Sequence, residues 1–139
     1  MTPDDMARLH AAAFDTERPW SSDEFAALCA HATTSVAHAA QGFALWRATA
    51  GEAELLTIAV HPAHQGRGLG QALMRDWMAD AARQAEIAFL EVAADNAAAC
   101  ALYAKCGFDE VARRTDYYTR AGGNADALIL RAALDRPAP

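Results

Sequence analysis

The chain has 139 residues, of which 53% are hydrophobic and 22% are charged, so it can bury the core of one domain and is not dominated by disorder. A net charge of −6 with scattered arginines argues against nucleic acid as an electrostatic partner. The three cysteines and five histidines share neither disulfide nor metal-ligand spacing, so we expect no metal site and a reducing compartment.

Two helices and a pair of strands are predicted in the first part of the chain. Thr2-Pro3-Asp4-Asp5 is typical of a helix start, because a capping residue and proline precede acids in the first turn. Pro19-Trp20 ends that helix, and a second helix follows. Residues 42–48 and 54–60 predict an antiparallel hairpin, and residues 35–40 give a weaker strand signal.

A glycine-rich loop joins the hairpin to the next helix. His61-Pro62 ends the second strand, since proline cannot continue its ladder. The loop Gln65-Gly66-Arg67-Gly68-Leu69-Gly70 then leads into a helix with Leu69, Leu73 and Trp77 at four-residue spacing. Such a strand, loop and helix start can bind an anion through backbone N–H groups and the helix dipole. A tight turn that needs glycines for steric reasons is the alternative.

The rest of the chain predicts a strand at 87–93, a helix and two final strands. Asn96 caps the helix, which runs through Lys105 with Gly107 beyond its end. The final strands cover residues 108–115 and 126–134. This order predicts a mixed α/β (α+β) fold in one domain spanning residues 1–139.

The loop carries a resemblance to a known family. Gln65-Gly66-Arg67-Gly68-Leu69-Gly70 matches every fixed position of [QR]-x-x-G-x-[GA], the acyl-coenzyme A signature of the GNAT acetyltransferases. The resemblance implies the GNAT fold, a mixed, mostly antiparallel central sheet flanked by helices. The customary first strand is expected to be missing, because Thr2-Pro3 already starts a helix.

The same resemblance implies that acetyl-CoA binds as a co-substrate. Its pyrophosphate would lie in the glycine loop and its pantetheine arm along the preceding strand. The residues assigned to acetyl-CoA binding are Ile58, Ala59, Val60, Gln65, Gly66, Arg67, Gly68, Leu69, Gly70, Gln71 and Asn96.

A second group of segments is similar to the RimI branch of this family, whose members acetylate the N-terminal alanine of a ribosomal protein. The segments are residues 89–96, 101–108, 113–118 and 126–130. The resemblance implies that Glu91 is the general base and that Tyr103 is the general acid that protonates the departing thiolate. Tyr117 and Tyr118 could wall the peptide groove, although packing on the sheet is the alternative.

The residues themselves are compatible with these roles. Glu91 shares a strand face with Ile87 and Phe89, where burial would raise its pKa and suit a general base. A charge facing water is the alternative. Asn96 and Tyr103 are seven residues apart, so both can address one ligand from a helix face, unless Tyr103 only fills the core.

The expected activity is acetyl transfer from acetyl-CoA to a primary amine by direct attack in a ternary complex. The preferred acceptor is the N-terminal α-amine of a protein such as a ribosomal protein. A small-molecule amine acetyltransferase and a catalytically silent CoA-binding module remain open. We expect a cytoplasmic protein without a membrane partner, because no signal peptide or long apolar stretch is present. The oligomeric state is open.

Overall fold

The computed structural model describes residues 1–14 and 18–135. In chain order these contain α1 (Pro3–Ala13), α2 (Ser22–Cys29), β1 (Thr34–Ala39), β2 (Gly42–Thr49), β3 (Glu52–Val60), a 3₁₀ turn (Pro62–His64), α3 (Leu69–Ala81), β4 (Ile87–Ala93), α4 (Ala97–Lys105), β5 (Asp109–Tyr118) and β6 (Ala125–Ala133). Within this part of the chain no strand precedes α1, as the sequence predicts. None of the described helices is long and apolar enough to cross a membrane.

The first two helices begin with reciprocal caps. In α1 the Thr2 hydroxyl accepts from the Asp5 N–H and the Asp5 carboxylate accepts from the Thr2 N–H. Ser21 and Glu24 repeat this arrangement at α2. Each cap satisfies N–H groups that a helix start leaves unbonded, and its carboxylate complements the helix dipole.

The described strands form a six-stranded sheet in the order β1-β2-β3-β4-β6-β5. All neighbouring pairs are antiparallel except β3 and β4, which are parallel. This confirms the predicted mixed, mostly antiparallel sheet. The predicted hairpin is β2 and β3, and β4 has the predicted bounds. β5 begins one residue later than expected and extends to Tyr118, beyond the predicted end at residue 115.

A β-bulge interrupts the pairing of β2 with β3. Trp46 pairs with Leu55 and Leu45 pairs with Thr57, so Leu56 is the extra residue on β3. A bulge changes which side chains face a given side of the sheet. Before the bulge Ala53 and Leu55 face the larger core, whereas after it the side chains on that side are Ile58 and Val60.

Helices cover the two faces of the sheet separately. On one face, which we call the α3 face, Trp77 of α3 and Tyr103 of α4 pack into a core with Trp46 and Leu90. On the opposite face, which we call the α1 face, α1 and α2 pack over part of β2 and β3. The fully buried members of that second core include Leu9, Phe25, Phe43 and Leu45. Two cores on one sheet give the layered arrangement that the element order predicts.

Candidate active site

The main cleft opens where β3 and β4 separate. Their parallel pairing covers three residue pairs, from Glu52↔Ile87 to Glu54↔Phe89. Beyond these pairs lies a cleft of about 910 Å³ between residues 55–60 of β3 and 90–93 of β4. A strand edge that has lost its neighbour offers backbone N–H and C=O groups to a ligand.

The structure brings most of the sequence-predicted site residues to this cleft. The residues that line it are Ile58, Ala59, Val60, Gln65, Gly66, Gly68, Leu69, Gly70, Gln71, Glu91, Asn96 and Tyr103. Arg67 is the exception, since it is exposed in the loop and is not part of the lining.

The glycine loop presents an unusual helix start to the cleft. Gly66 and Gly68 have left-handed backbones with φ of +76° and +80°, where an L side chain would be strained. Gly68 is the N-cap of α3, which has neither a side-chain cap nor an acid in its first turn. The N–H groups at the start of α3 lack the hydroxyl and carboxylate acceptors that cap α1 and α2, and are therefore available for an external anion. The Gln65 amide ties the loop to β3 by donating to the Val60 carbonyl at 3.1 Å.

Glu91 lies on the α1 face of β4 and is exposed. Its neighbours Leu90 and Val92 are buried in the opposite core, whereas Ile87 and Phe89 on its own face are only partly buried. The expected burial of this carboxylate is therefore wrong, because α1 and α2 leave this part of the sheet uncovered. Glu91 also borders a second cavity of about 410 Å³ on the sheet surface, so it stands where the two openings meet.

Tyr103 combines a buried ring with a hydroxyl that reaches the cleft. The side chain is 6% exposed and its ring packs edge-on against Phe108. In the described part of the chain no buried side-chain N or O atom lacks a partner, and the Tyr103 hydroxyl makes no hydrogen bond to these residues. The hydroxyl must therefore be open to the cleft. Burial raises the pKa of the phenol, so it keeps its proton at neutral pH.

Asn96 starts α4 at the edge of the cleft. Its side-chain oxygen accepts from the Ala99 N–H at 3.1 Å, which confirms the predicted cap. The cap uses the oxygen of the Asn96 amide, and Asn96 lines the cleft. Asn96 and Tyr103 thus both border the same opening, as their spacing predicts.

Sequence reasoning missed other groups that line the cleft. His10 of α1 is buried at its wall, and in the sequence it appears only as a member of the apolar stripe of that helix. Asp95 and Arg120 form an ion pair at 3.0 Å, joined across 25 positions of the sequence. The Arg120 guanidinium lies 5.2 Å from the ring centre of Tyr118, which also lines the cleft. Tyr117 is 52% exposed and lies outside the lining.

The model of the acetyltransferase (GNAT) family matches residues 3–108. The chain belongs to the GNAT acetyltransferase family. Among its GNAT relatives, the ribosomal protein bS18-alanine N-acetyltransferase of Escherichia coli K12 is 42% identical over 90 residues, which are 63% of this chain and 60% of that protein. The N-alpha-acetyltransferase RimI of Mycobacterium tuberculosis is 48% identical over 80 residues, or 58% of this chain and 48% of that protein.

A solved GNAT structure supports the same assignment. The crystal structure of the Escherichia coli ribosomal-protein-S18-alanine N-acetyltransferase superposes with a TM-score of 0.86 at 30% identity, covering 98% of this chain and 90% of that one. In the sequence comparisons the chain spans less than two thirds of the length of these curated relatives. The resemblance to the RimI branch, stated from residues 89–130, is thus confirmed by sequence and by fold.

Proposed function

We propose that the protein is an acetyl-CoA-dependent N-acetyltransferase whose acceptor is the N-terminal α-amine of a protein, such as a ribosomal protein. The observation that carries this proposal is the cleft between β3 and β4. It joins an uncapped helix start, a free strand edge, an exposed carboxylate and a buried phenol in one opening. The relatives that match at 42% and 48% identity are named as a ribosomal protein bS18-alanine N-acetyltransferase and an N-alpha-acetyltransferase.

The donor substrate fits the α3 side of the cleft. The free N–H groups at the start of α3 suit the pyrophosphate of acetyl-CoA, and Arg67 in the exposed loop adds a positive charge. The backbone of residues 58–60 lies at the separated edge of β3 and would pair with the amides of the pantetheine arm. Asn96 would supply its amide nitrogen from the opposite wall.

The chemistry requires one proton acceptor and one proton donor. The amine nitrogen attacks the thioester carbonyl, the C–N bond forms and the C–S bond breaks. In our proposal Glu91 takes the proton that the amine loses, through water because the carboxylate is exposed. Tyr103 gives its phenolic proton to the departing thiolate, and because its pKa is raised the phenol carries that proton when the thiolate forms. Backbone N–H groups of residues 58–60 would polarise the thioester carbonyl.

An α-amine is an easier acceptor than a lysine side chain at this site. Its pKa is about 7.7–8.0, against about 10.4 for lysine. At pH 7 the free-base form of lysine therefore costs about 3 kcal/mol more to reach. An exposed carboxylate acting through water can more readily supply the smaller free energy that deprotonation of an α-amine requires.

The test is a competition between two peptides of matched sequence. One has a free α-amine and no lysine, and the other is N-terminally blocked and contains one lysine. We expect acetyl transfer from acetyl-CoA to the first peptide, located by mass spectrometry. Faster acetylation of the blocked peptide would contradict the α-amine assignment. Activity on small amines alone would favour a small-molecule acetyltransferase, and no transfer to any amine would favour a silent CoA-binding protein.

A further inference from the structure

His10 is held in one orientation at the wall of the cleft. Its side chain is 3% exposed. The imidazole stacks on Phe14 at 4.4 Å and on Trp20 at 5.2 Å, with interplanar angles of 25° and 23°. Phe25 closes the site with an edge contact at 5.6 Å. A polar ring fixed between aromatic side chains presents its nitrogen atoms in defined directions.

The hydrogen bonding of the ring defines its tautomer. The Trp20 backbone N–H donates to His10 Nδ1 at 3.1 Å, so Nδ1 carries a lone pair and no proton. Burial lowers the pKa of His10 to about 4, so the ring is neutral at pH 7. A neutral imidazole that accepts at Nδ1 must carry its proton at Nε2.

The Nε2–H group is directed to the cleft. In residues 1–14 and 18–135 the ring makes no second hydrogen bond, and no buried side-chain nitrogen there lacks a partner. Nε2 must therefore touch open space, and His10 is part of the cleft lining. The site thus offers a rigid, uncharged hydrogen-bond donor. Such a donor binds a carbonyl oxygen and gives nothing to a protonated amine.

The position of α1 identifies which substrate meets this donor. α1 and α2 pack on the same face of the sheet as Glu91, whereas α3 and Tyr103 belong to the opposite face, where the glycine loop lies. A donor on the α1 face therefore addresses the acceptor, whose amine must reach Glu91. In a polypeptide with a free α-amine, the carbonyl oxygen nearest to that amine is the one of the first residue.

We propose that His10 is a specificity-determining residue whose Nε2–H donates to the carbonyl oxygen of the acceptor's first residue. This inference rests on the proposed N-terminal acetyltransferase function. It gives a second reason for preferring an α-amine. The carbon that bears an α-amine is bonded directly to a carbonyl carbon, whereas the carbon that bears the ε-amine of lysine is bonded to a methylene group. The neutral state of the ring also avoids repulsion with the cationic form of the incoming amine.

Two substitutions separate this role from simple packing. In His10→Asn the side-chain oxygen occupies the region of Nδ1 and can still accept from Trp20, but the donor at Nε2 is lost. In His10→Gln the amide nitrogen reaches the region of Nε2, so the donor is kept while the bond to Trp20 is lost. Each protein is assayed with a peptide acceptor and with the same peptide whose first carbonyl is replaced by a thiocarbonyl, a weaker hydrogen-bond acceptor.

We expect the wild-type protein to use the thiocarbonyl peptide with a kcat/KM lower by about 10-fold, the range of one neutral hydrogen bond. His10→Asn should raise KM for the normal peptide by a similar factor, leave KM for acetyl-CoA unchanged and no longer distinguish the two peptides. His10→Gln should still distinguish them. A residue that only packs would change KM without changing this discrimination.

The wild-type comparison keeps the inference testable even if a variant fails to fold. Equal kcat/KM for the two peptides in the wild-type protein would overturn the role of His10 while leaving the proposed function intact. Continued discrimination by a folded His10→Asn protein would do the same. If the wild-type protein acetylates no free α-amine, the proposed function is wrong and the role of His10 falls with it.

Discussion

Lowering the pH from 7 to 4 should destabilise the protein through His10. In the folded state burial lowers the pKa of this imidazole from 6.5 to about 4. Between these two values the unfolded chain binds a proton that the folded protein does not bind. The free energy of unfolding is therefore highest above pH 6.5, falls as the pH approaches 4 and changes no further through His10 below that value.

The size of this effect follows from the two pKa values. At about 1.4 kcal/mol per pKa unit, a pKa of about 4 against 6.5 corresponds to a loss of about 3 kcal/mol of unfolding free energy. Among residues 1–14 and 18–135, the charged groups that act on His10 are Glu24, which raises its pKa, and Arg18, which lowers it. The loss is a large fraction of the 5–15 kcal/mol that typically holds a domain together.

Urea unfolding at half-unit steps from pH 7.5 to pH 4 measures this loss, with His10→Asn as the control. The substituted side chain does not titrate and can keep the bond to Trp20. The pKa of the Glu24 carboxyl is lowered to about 2 by its pairing with Arg18, so its own contribution is lost only below about pH 4.5 and cancels between the two proteins. Parallel stability curves for the wild-type and substituted proteins over this range would refute the reasoning.

The remaining predictions concern the cleft. Gly68→Val should weaken acetyl-CoA binding by at least about 10-fold in calorimetry, whereas Gly51→Val, at an equally left-handed φ of +81° in the β2–β3 turn, should cost similar stability without changing that affinity. Glu91→Gln should lower kcat by roughly 10²–10⁴-fold with unchanged acetyl-CoA affinity, and a full rate across the pH range would place the base elsewhere. Tyr103→Phe should lower kcat in the same range, and its rate loss should shrink with thioesters whose thiols are more acidic.

Local signals made much of the fold predictable from sequence. The helix caps Thr2 and Asn96 can be predicted from a few neighbouring residues, and in the structure both residues cap their helices. The glycine signature identifies the loop at α3 because left-handed positions such as Gly68 restrict the residue type. These features depend on interactions within one turn or one loop, which the sequence displays directly.

Contacts between distant segments made the rest unpredictable. Glu91 alternates with apolar residues, but alternation does not say which face of the sheet the helices leave open. The extra residue Leu56 is invisible without the register of β2 against β3. His10 looks like an ordinary member of a helix stripe until the backbone of Trp20, ten positions away, is brought onto its ring.

The narrow junction between β3 and β4 has a mechanical consequence. In the described sheet, three residue pairs of the β3–β4 ladder join two antiparallel parts, β1–β3 on one side and β4, β6 and β5 on the other, and the core on the α3 face packs against both parts. A molecule that forms hydrogen bonds with both β3 and β4 across the cleft links the two parts of the sheet. Filling the cleft will therefore stiffen the whole sheet, and amide hydrogen exchange at residues 55–60 will slow together with exchange at residues 90–93.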